Sequence, residues 1–238
     1  MNKIKREEQK FYIKREDIPE ILNFLEVFTF RDSNSSREGY KISSIYFDTT
    51  YDNDLNEKLD GIMYREKYRV RIYNNDLNTT KFEVKRKLNN CVEKISSHIN
   101  EYDFKELLRK NYPVLEKYND LKYVAHRMQY LNYSPICIVE YNRKAYYLPF
   151  NNIRITIDSN LRTYGFQSDL SKIQDYKPLS VQNAYNQILE IKFEDYVPKY
   201  ILNFLSSFSS VRSSISKYSL SRIHNNTEIN GDDPIIPF

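Results

Sequence analysis

Four basic side chains recur at every second position of one segment, at Arg65, Lys67, Arg69 and Arg71. Successive side chains of a β-strand point to opposite faces, so these four cations share one face if the segment is a strand. They would then lie about 7 Å apart, within the screening length at physiological salt, and would repel one another. A polyanion bound to this face would relieve that repulsion, so the predicted chemistry is the binding of phosphate-rich anions.

The same alternation recurs in four further segments, each with apolar residues on the opposite face. A half-buried antiparallel sheet with one face in water would explain any single segment. Solvated faces usually mix Ser, Thr, Gln and both charge signs, whereas Lys and Arg dominate here. The charged faces are Arg6, Glu8 and Lys10; Lys81, Glu83, Lys85 and Lys87; Arg154, Thr156 and Asp158; and Glu190, Lys192 and Glu194.

The placement of these faces depends on how the sheet closes. If the sheet forms a barrel with the charged faces inward, the result is a cationic tunnel with helices over its apolar outside. Glu83 is then predicted to pair with Lys81, Lys85 and Lys87 rather than to bind a metal.

Hydrophobic periodicity predicts the elements that position these side chains. Helices are predicted from about Asp17, with Pro19 in the first turn, and at 101–110, 113–131, 198–208 and 214–223. Strands that are close in sequence favour antiparallel pairing, so an α+β fold on a large antiparallel sheet or barrel is predicted. The predicted strands are 7–13, 41–48, 64–73, 81–88, 92–98, 136–148, 153–158 and 188–194.

Composition excludes several classes of protein. The 238 residues include 36 Lys plus Arg and 32 Asp plus Glu, so the net charge is only +4 and any strong positive field must come from placement. The chain has only 4 Gly, which argues against glycine-rich phosphate-binding loops. It contains no CxxC or HxxxH motif, so a structural zinc site is not expected. No apolar run is long enough to span a membrane, and the charged N-terminus is unlike a signal peptide, so a cytoplasmic setting is expected.

Eight short motifs occur in order over about 7–223. They are Glu8-Gln-Lys10-Phe, Ser44-Ile-Tyr-Phe-Asp48, Tyr68-Arg-Val-Arg-Ile-Tyr73, Phe82-Glu-Val-Lys85, Glu140-Tyr-Asn-Arg143, Ile153-Arg-Ile-Thr-Ile-Asp158, Leu189-Glu-Ile-Lys192 and Ser216-Lys217-Tyr. Together they resemble the VTC domain. This domain is the polyphosphate polymerase module of the vacuolar transporter chaperone complex, and it also occurs as stand-alone bacterial proteins, the type expected here.

The resemblance implies a fold and an activity. The implied fold is the triphosphate tunnel fold, an antiparallel β-barrel with helices packed on the outside and a closing C-terminal helix. Residues 1–224 would form one domain and 225–238 a tail. The implied activity is transfer of the γ-phosphate of ATP to a growing polyphosphate or pyrophosphate acceptor with release of ADP, dependent on Mn²⁺ or Mg²⁺.

The resemblance also implies roles for individual residues. Glu190 matches the metal ligand; Glu8 is a second candidate ligand, with ion pairing as the alternative. Ser214 stands where eukaryotic members have a Lys, and Lys87 where they can have a His. The implied catalytic residues are Arg69, Arg71, Lys217 and Glu190. The implied substrate-binding residues are Lys10, Lys85, Lys87, Tyr141, Arg143, Arg154, Lys192 and Ser216.

Two alternative functions remain open. A tunnel hydrolase of the CYTH or RNA-triphosphatase kind would carry paired glutamates as ExExK, but Arg6 stands where the first Glu would be and Lys192 where a later one would be. A non-catalytic polyphosphate-binding module is the second alternative. Binding of nucleic acid is not expected, because its cations should lie on an exposed patch with stacking aromatics.

Overall fold

The computed structural model describes residues 6–89, 91–165, 179–180, 187–208 and 215–230. These residues form strands and helices in the mixed order predicted for an α+β fold. The strands are β1 (Arg6–Ile13), β2 (Phe30–Arg31), β3 (Tyr40–Asp48), β4 (Tyr64–Tyr73), β5 (Asp76–Leu88), β6 (Cys91–His98), β7 (Ser134–Leu148), β8 (Ile153–Gly165), β9 (Leu179–Ser180) and β10 (Gln187–Glu194). The α-helices are α1 (Ile18–Phe28), α2 (Asn53–Leu59), α3 (Glu101–Leu108), α4 (Lys122–Tyr130), α5 (Lys199–Ser207) and α6 (Lys217–Asn230).

The strands form one sheet in the order β1-β10-β8-β7-β3-β4-β5-β6, with β2 beside β7 and β9 beside β8. The pairs β1/β10, β10/β8, β3/β4, β4/β5 and β5/β6 are all antiparallel, as predicted. The order begins at β1 and ends at β6, so hydrogen bonds between the described strands do not close it into a ring. Within this part of the chain, no helix is long and apolar enough to cross a membrane.

The chain divides into two compact units. The first comprises Met1–Lys41, Tyr141–Leu161 and Gln182–Ser216, and the second comprises Ile42–Glu140, Arg162–Val181 and Lys217–Phe238. Each unit has its own apolar core.

In the first unit, α1 and α5 cover the apolar face of β1, β8 and β10. The apolar residues of α1 recur at intervals of three and four, which places Ile21 and Leu25 on the buried side. Ile201 and Leu205 of α5 join the same core. The polar face of these strands is therefore the one that carries Lys10, Glu190 and Arg154. The strand residues in this core include Ile13, Ile153, Ile155, Ile157, Leu189 and Ile191.

In the second unit, α3 and α4 cover the apolar face of β4 and β5. Tyr68, Val70, Phe82 and Val84 are fully buried there, which confirms the predicted alternation in these strands. The opposite face carries the basic row of β4. The helical residues in this core include Phe104, Leu107, Val124, Ala125 and Met128.

The prediction of a single helix over 113–131 was wrong. The segment forms short 3₁₀ turns at Tyr112–Leu115 and Asn119–Leu121 before α4 begins. Tyr118 between them is extended, and its hydroxyl donates to the buried Asp103 carboxylate at 2.5 Å. This tertiary bond stabilises the break.

Two further elements differ from the prediction. Helix α2 was not predicted, because seven residues are too short to show a clear helical period. Helix α6 begins at Lys217 and continues to Asn230, beyond the predicted end at 223. Ser214 lies outside the described residues.

Candidate functional site

Two cross-strand rows on the polar face of the first unit bring together residues singled out in the sequence. In one row Lys10 pairs with Glu190, and Glu190 pairs with Thr156. In the adjacent row Glu8 pairs with Lys192, and Lys192 pairs with Arg154. Directly opposed residues of antiparallel strands have Cβ atoms about 5 Å apart, so the register alone makes these side chains neighbours.

The two lysines and two glutamates of these rows form ion pairs with one another. Lys10 Nζ lies 2.7 Å from Glu8 Oε1 and 3.9 Å from Glu190 Oε2. Lys192 Nζ lies 2.5 Å from Glu190 Oε1, and the Glu190 side chain is only 6% exposed. These four charges sum to zero, so a bound anion would have to share the two ammonium groups with the carboxylates.

Lys10 also holds the segment that leads into α6. Its ammonium donates to the carbonyl oxygen of Ile215 at 3.0 Å. Ser216, the first residue of the predicted Ser-Lys pair, is the next residue along the chain, so Lys10 holds the backbone one residue before it.

Arg143 on β7 is buried and forms a bidentate ion pair with Asp158. Its Nε and Nη2 donate to the two oxygens of Asp158 at 2.6 and 2.7 Å. Burial alone would lower the pKa of Arg143, but Asp158 beside it holds that pKa well above its usual value. The guanidinium carbon also lies 5.3 Å from the ring centroid of Tyr141, so these two predicted substrate residues are in contact.

Gly39 fixes the loop that passes over Arg143. Its φ of +85° lies in the left-handed region, and a Cβ there would lie 2.4 Å from the Arg143 carbonyl oxygen. Only glycine fits this approach, so the loop presses closely on β7 at Arg143.

Arg154 lies in the same unit beside a second acidic group. Its Nη2 lies 2.8 Å from Asp32 Oδ2 and 3.3 Å from the Tyr40 hydroxyl oxygen. Its Nε is buried and makes no hydrogen bond to the described residues. Arg154 is therefore held beside Asp32 and Tyr40 through Nη2.

In the second unit, a cluster of cations surrounds Glu83. Arg69 Nε and Nη2 each lie 2.7 Å from Glu83 Oε2, and Arg71 Nη1 lies 3.5 Å from the same oxygen. Lys94 Nζ lies 2.5 Å from Oε1. Burial alone would raise the pKa of this 2% exposed carboxyl, but Arg69, Arg71 and Lys94 lower it to about 2.

These contacts extend the prediction for Glu83 to other strands. Glu83 was expected to pair with Lys81, Lys85 and Lys87 of its own strand, and the structure adds Arg69, Arg71 and Lys94. Residues two apart on one strand are about 7 Å apart, whereas residues opposed across strands are closer. The register places Glu83 opposite Arg69 on β4 and Ser96 on β6, so side chains of both neighbouring strands can reach it.

Basic residues outnumber acidic ones on this face. Lys67, Lys85 and Lys94 lie side by side across β4, β5 and β6, and Arg65 opposes Lys87. Burial lowers the pKa of Lys67 to about 7, and the nearby cations Lys58, Arg65 and Lys85 act in the same direction. A bound anion would relieve this repulsion. The paired positions on this face contain eight basic residues and one acidic residue, Glu83. The basic residues are Arg65, Lys67, Arg69, Arg71, Lys81, Lys85, Lys87 and Lys94.

Lys94 is a candidate phosphate ligand that the sequence reasoning missed. It lies at an alternating position of the predicted strand 92–98, but its place beside Glu83 depends on the β5/β6 register. Lys217, the remaining predicted catalytic residue, is the first residue of α6.

The carboxylates of Glu8 and Glu190 could bind a divalent ion only together with substrate phosphates. Within the described ranges, no group of three or more His, Cys, Asp or Glu side chains could hold a metal. Mg²⁺ is often bound by one or two carboxylates together with substrate phosphates. Glu8 and Glu190, both beside Lys10, supply hard oxygen donors of the required kind.

Comparison with known families identifies the chain. The VTC domain family matches residues 5–223. The chain belongs to the VTC domain family. This confirms the resemblance found in the motifs, which covers the same span.

Solved structures support the fold of this VTC domain protein. A Vibrio parahaemolyticus protein proposed to be an adenylate cyclase shares 11% identity at a TM-score of 0.51, over 92% of this chain and 98% of that chain. A Bacillus halodurans protein with the same proposed activity shares 12% identity at a TM-score of 0.52, over 90% and 96%. At this identity the likeness concerns the fold alone, and it confirms the predicted α+β triphosphate tunnel type. Curated proteins give no match.

Proposed function

We propose that this VTC domain protein is a polyphosphate polymerase that uses ATP as its phosphate donor. The observation that carries the proposal is the basic face of β4, β5 and β6, where eight basic residues share one face with a single carboxylate, Glu83. A face with this excess of positive charge suits a ligand with many closely spaced negative charges. We propose a cytoplasmic setting, since ATP is the donor.

The reaction needs positioning and charge neutralisation more than covalent catalysis. A terminal oxygen of the acceptor phosphate forms a bond to the γ-phosphorus of ATP. The bond from that phosphorus to the β–γ bridging oxygen breaks, and ADP leaves with the electron pair. Arg and Lys side chains align the phosphates and stabilise the negative charge that develops on the leaving group.

In the second unit, Arg69 and Arg71 would bind the transferring phosphoryl group. Their guanidinium groups, held by Glu83, present further N–H donors in a fixed plane. Lys85 and Lys87 would bind more of the chain, and Lys217 would contribute a cation from the start of α6.

In the first unit, Lys10, Lys192 and Arg154 would bind phosphate oxygens. Tyr141 and Ser216 would serve as neutral donors, and Arg143 would act from its fixed position beside Asp158. Glu190 and Glu8 would hold Mn²⁺ or Mg²⁺. When bound, such an ion neutralises phosphate charge and polarises the phosphoryl oxygens.

A single assay separates the polymerase from the two alternatives. The purified protein is incubated with ATP and Mn²⁺, and polyphosphate, ADP and free phosphate are measured together. We expect polyphosphate in step with ADP and little free phosphate. Free phosphate in step with ADP would identify a hydrolase, and binding of polyphosphate without ADP release would identify a binding module.

Matched variants connect the activity to the basic face. Lys85→Met removes a cation from that face, whereas Lys105→Met removes a surface lysine of α3 that pairs with Glu101. We expect the first variant to lose most polymer synthesis and the second to keep it. Equal activities in the two variants would contradict the assignment of this face.

A further inference from the structure

Asp48 joins the beginnings of two helices in the second unit. Its Oδ1 accepts hydrogen bonds from the backbone N–H groups of Thr49 at 2.7 Å and Asp54 at 2.9 Å, and its Oδ2 accepts from Leu55 at 3.1 Å. It therefore satisfies amides at the start of α2. The Tyr218 hydroxyl, in the first turn of α6, donates to the same Oδ2 atom.

A second contact joins α6 to α2 one turn later. Arg222 follows Tyr218 by four residues and so lies on the same side of α6. Its Nη2 donates to Asp52 Oδ2 at 2.7 Å. Asp52 is the N-cap residue of α2 and has the left-handed φ of 55°. The Arg222 bond connects α6 to α2 directly, and the Tyr218 bond connects it through Asp48, which accepts from the first amides of α2.

The Tyr218 ring lies against polar and charged groups of the strands. It stacks on Tyr46 of β3 with centroids 5.0 Å apart, and Lys67 Nζ of β4 lies 4.8 Å from its centroid. Tyr46 in turn accepts a hydrogen bond from Arg69 Nη1 at 3.1 Å. A chain of contacts therefore runs from Arg69 through Tyr46 and Tyr218 to Asp48.

We propose that Asp48 and Tyr218 are positioning residues that hold Lys217 in place for binding phosphate beside the basic face. Lys217 precedes Tyr218 directly and is the first residue of α6, where a helix lacks intrahelical hydrogen bonds for its N–H groups and frays easily. Fixing the 2% exposed Tyr218 fixes the Cα of its neighbour, so less freedom is lost when Lys217 binds an anion. This inference rests on the proposed function, since it assigns Lys217 a phosphate.

A double-mutant cycle tests the coupling between Tyr218 and Lys217. Tyr218→Phe removes only the hydroxyl, and Lys217→Met removes the ammonium. The dissociation constant for inorganic tripolyphosphate is measured by calorimetry for the wild type, both single variants and the double variant. We expect each single variant to weaken binding about five- to tenfold, and the double variant to be no weaker than Lys217→Met alone, because the hydroxyl acts through Lys217.

A matched variant controls for a purely structural effect. Tyr112→Phe removes another buried hydroxyl of the second unit, which donates to the Tyr133 carbonyl oxygen at 2.6 Å. It should lower the melting temperature as Tyr218→Phe does, yet leave tripolyphosphate binding unchanged. If Tyr218→Phe does not fold, Arg222→Gln replaces it in the cycle with the same expectation.

The outcomes separate this inference from the polymerase proposal. Additive losses in the cycle, or wild-type binding by Tyr218→Phe, would overturn the positioning role even if ATP yields polyphosphate. Coupled losses would support it even if the assay with ATP shows no polymer. A wild-type protein that does not bind tripolyphosphate would overturn the inference as well as the polymerase.

Discussion

Glu83 shows how one carboxylate determines the electrostatics of a basic surface. It is buried, yet it stays ionised because Arg69, Arg71 and Lys94 surround it. It holds the guanidinium groups in place while cancelling only part of their charge. A phosphate ligand would meet cations that are already oriented, which reduces the cost of binding.

The lowered pKa of Glu83 predicts loss of stability in acid. Its folded-state pKa of about 2 lies below its usual value of 4.5, so its contribution is complete above about pH 4.5 and disappears as the pH falls towards 2. The contribution is on the order of 2–3 kcal/mol. Denaturant unfolding should therefore show Glu83→Gln to be destabilised at pH 7 and much less so at pH 3.

The exposed Glu101, which pairs with Lys105 on the surface of α3, offers a comparison. Glu101→Gln should change the free energy of unfolding little at either pH. If Glu83→Gln loses the same stability at pH 3 as at pH 7, the ion-pair explanation is wrong.

Glu190 is predicted to be essential for metal-dependent turnover. Its buried carboxylate lies between Lys10 and Lys192, where an ion held jointly with substrate phosphates could replace the lysine contacts. Glu190→Gln should lose nearly all synthesis from ATP at low Mn²⁺ while retaining its circular dichroism spectrum. Glu194→Gln, on the same strand and bonded to Asn152, is the control and should remain active. Full activity of Glu190→Gln at low Mn²⁺ would exclude its role as a ligand.

At the scale of elements, α6 depends on a helix too short to be predicted. Asp52, the N-cap residue of α2, binds Arg222 of α6, and Asp48 at the end of β3 binds both Tyr218 of α6 and the first amides of α2. A seven-residue helix is marginal by itself, so its stability comes from such tertiary contacts. Loss of α2 would therefore displace α6.

Lys217 is predicted to act in binding and catalysis rather than in stability. A cation in the first turn of a helix opposes the helix dipole, so folding gains little from it. Lys217→Met should reduce ATP-driven polymer synthesis at least about tenfold, equivalent to roughly 1.4 kcal/mol of transition-state stabilisation. Its melting temperature without ligand should stay close to that of the wild type.

Lys199 is a matched control, because it is exposed and likewise the first residue of a helix, α5. Lys199→Met should retain wild-type synthesis and tripolyphosphate affinity. If both variants behave like the wild type, the Ser-Lys assignment at Ser216 and Lys217 is incorrect.

At the scale of the whole molecule, charge is concentrated rather than abundant. The net charge of +4 is small for 238 residues, yet eight basic residues share one face of three strands. Each of the two units supports its charged strand face with a separate apolar core on the other side. The affinity for polyanions should therefore depend on the local electrostatic field of this face rather than on the net charge of the protein.

Such local fields predict a strong dependence on salt. Raising NaCl from 0.05 to 0.2 M should weaken tripolyphosphate binding at least about fivefold, because screening reduces each phosphate–cation attraction. At a fixed ligand concentration, the ligand-induced rise in melting temperature should shrink accordingly. Calorimetry and thermal unfolding in the two buffers measure both effects. An affinity that does not respond to salt would indicate that the cations are not the ligands.

The residue patterns determined which face each side chain would occupy. Alternation in β4, β5 and β10 is a local property with a period of two, so the separation of Val70 from Arg69 and Arg71 could be predicted without any partner strand. The motifs likewise determined the family, because they occur in order along one chain. The α+β class followed from the same local periods.

Only the tertiary structure decided which charged groups meet. The partners of Glu83, the place of Lys94 and the pairing of Lys10 with Glu190 depend on strand register, which relates residues far apart in the sequence. The break between Tyr112 and Lys122 and the attachment of Tyr218 to Asp48 also depend on distant side chains. Local propensity cannot reveal these contacts, because their energy arises only when packing brings the groups together and removes water from them.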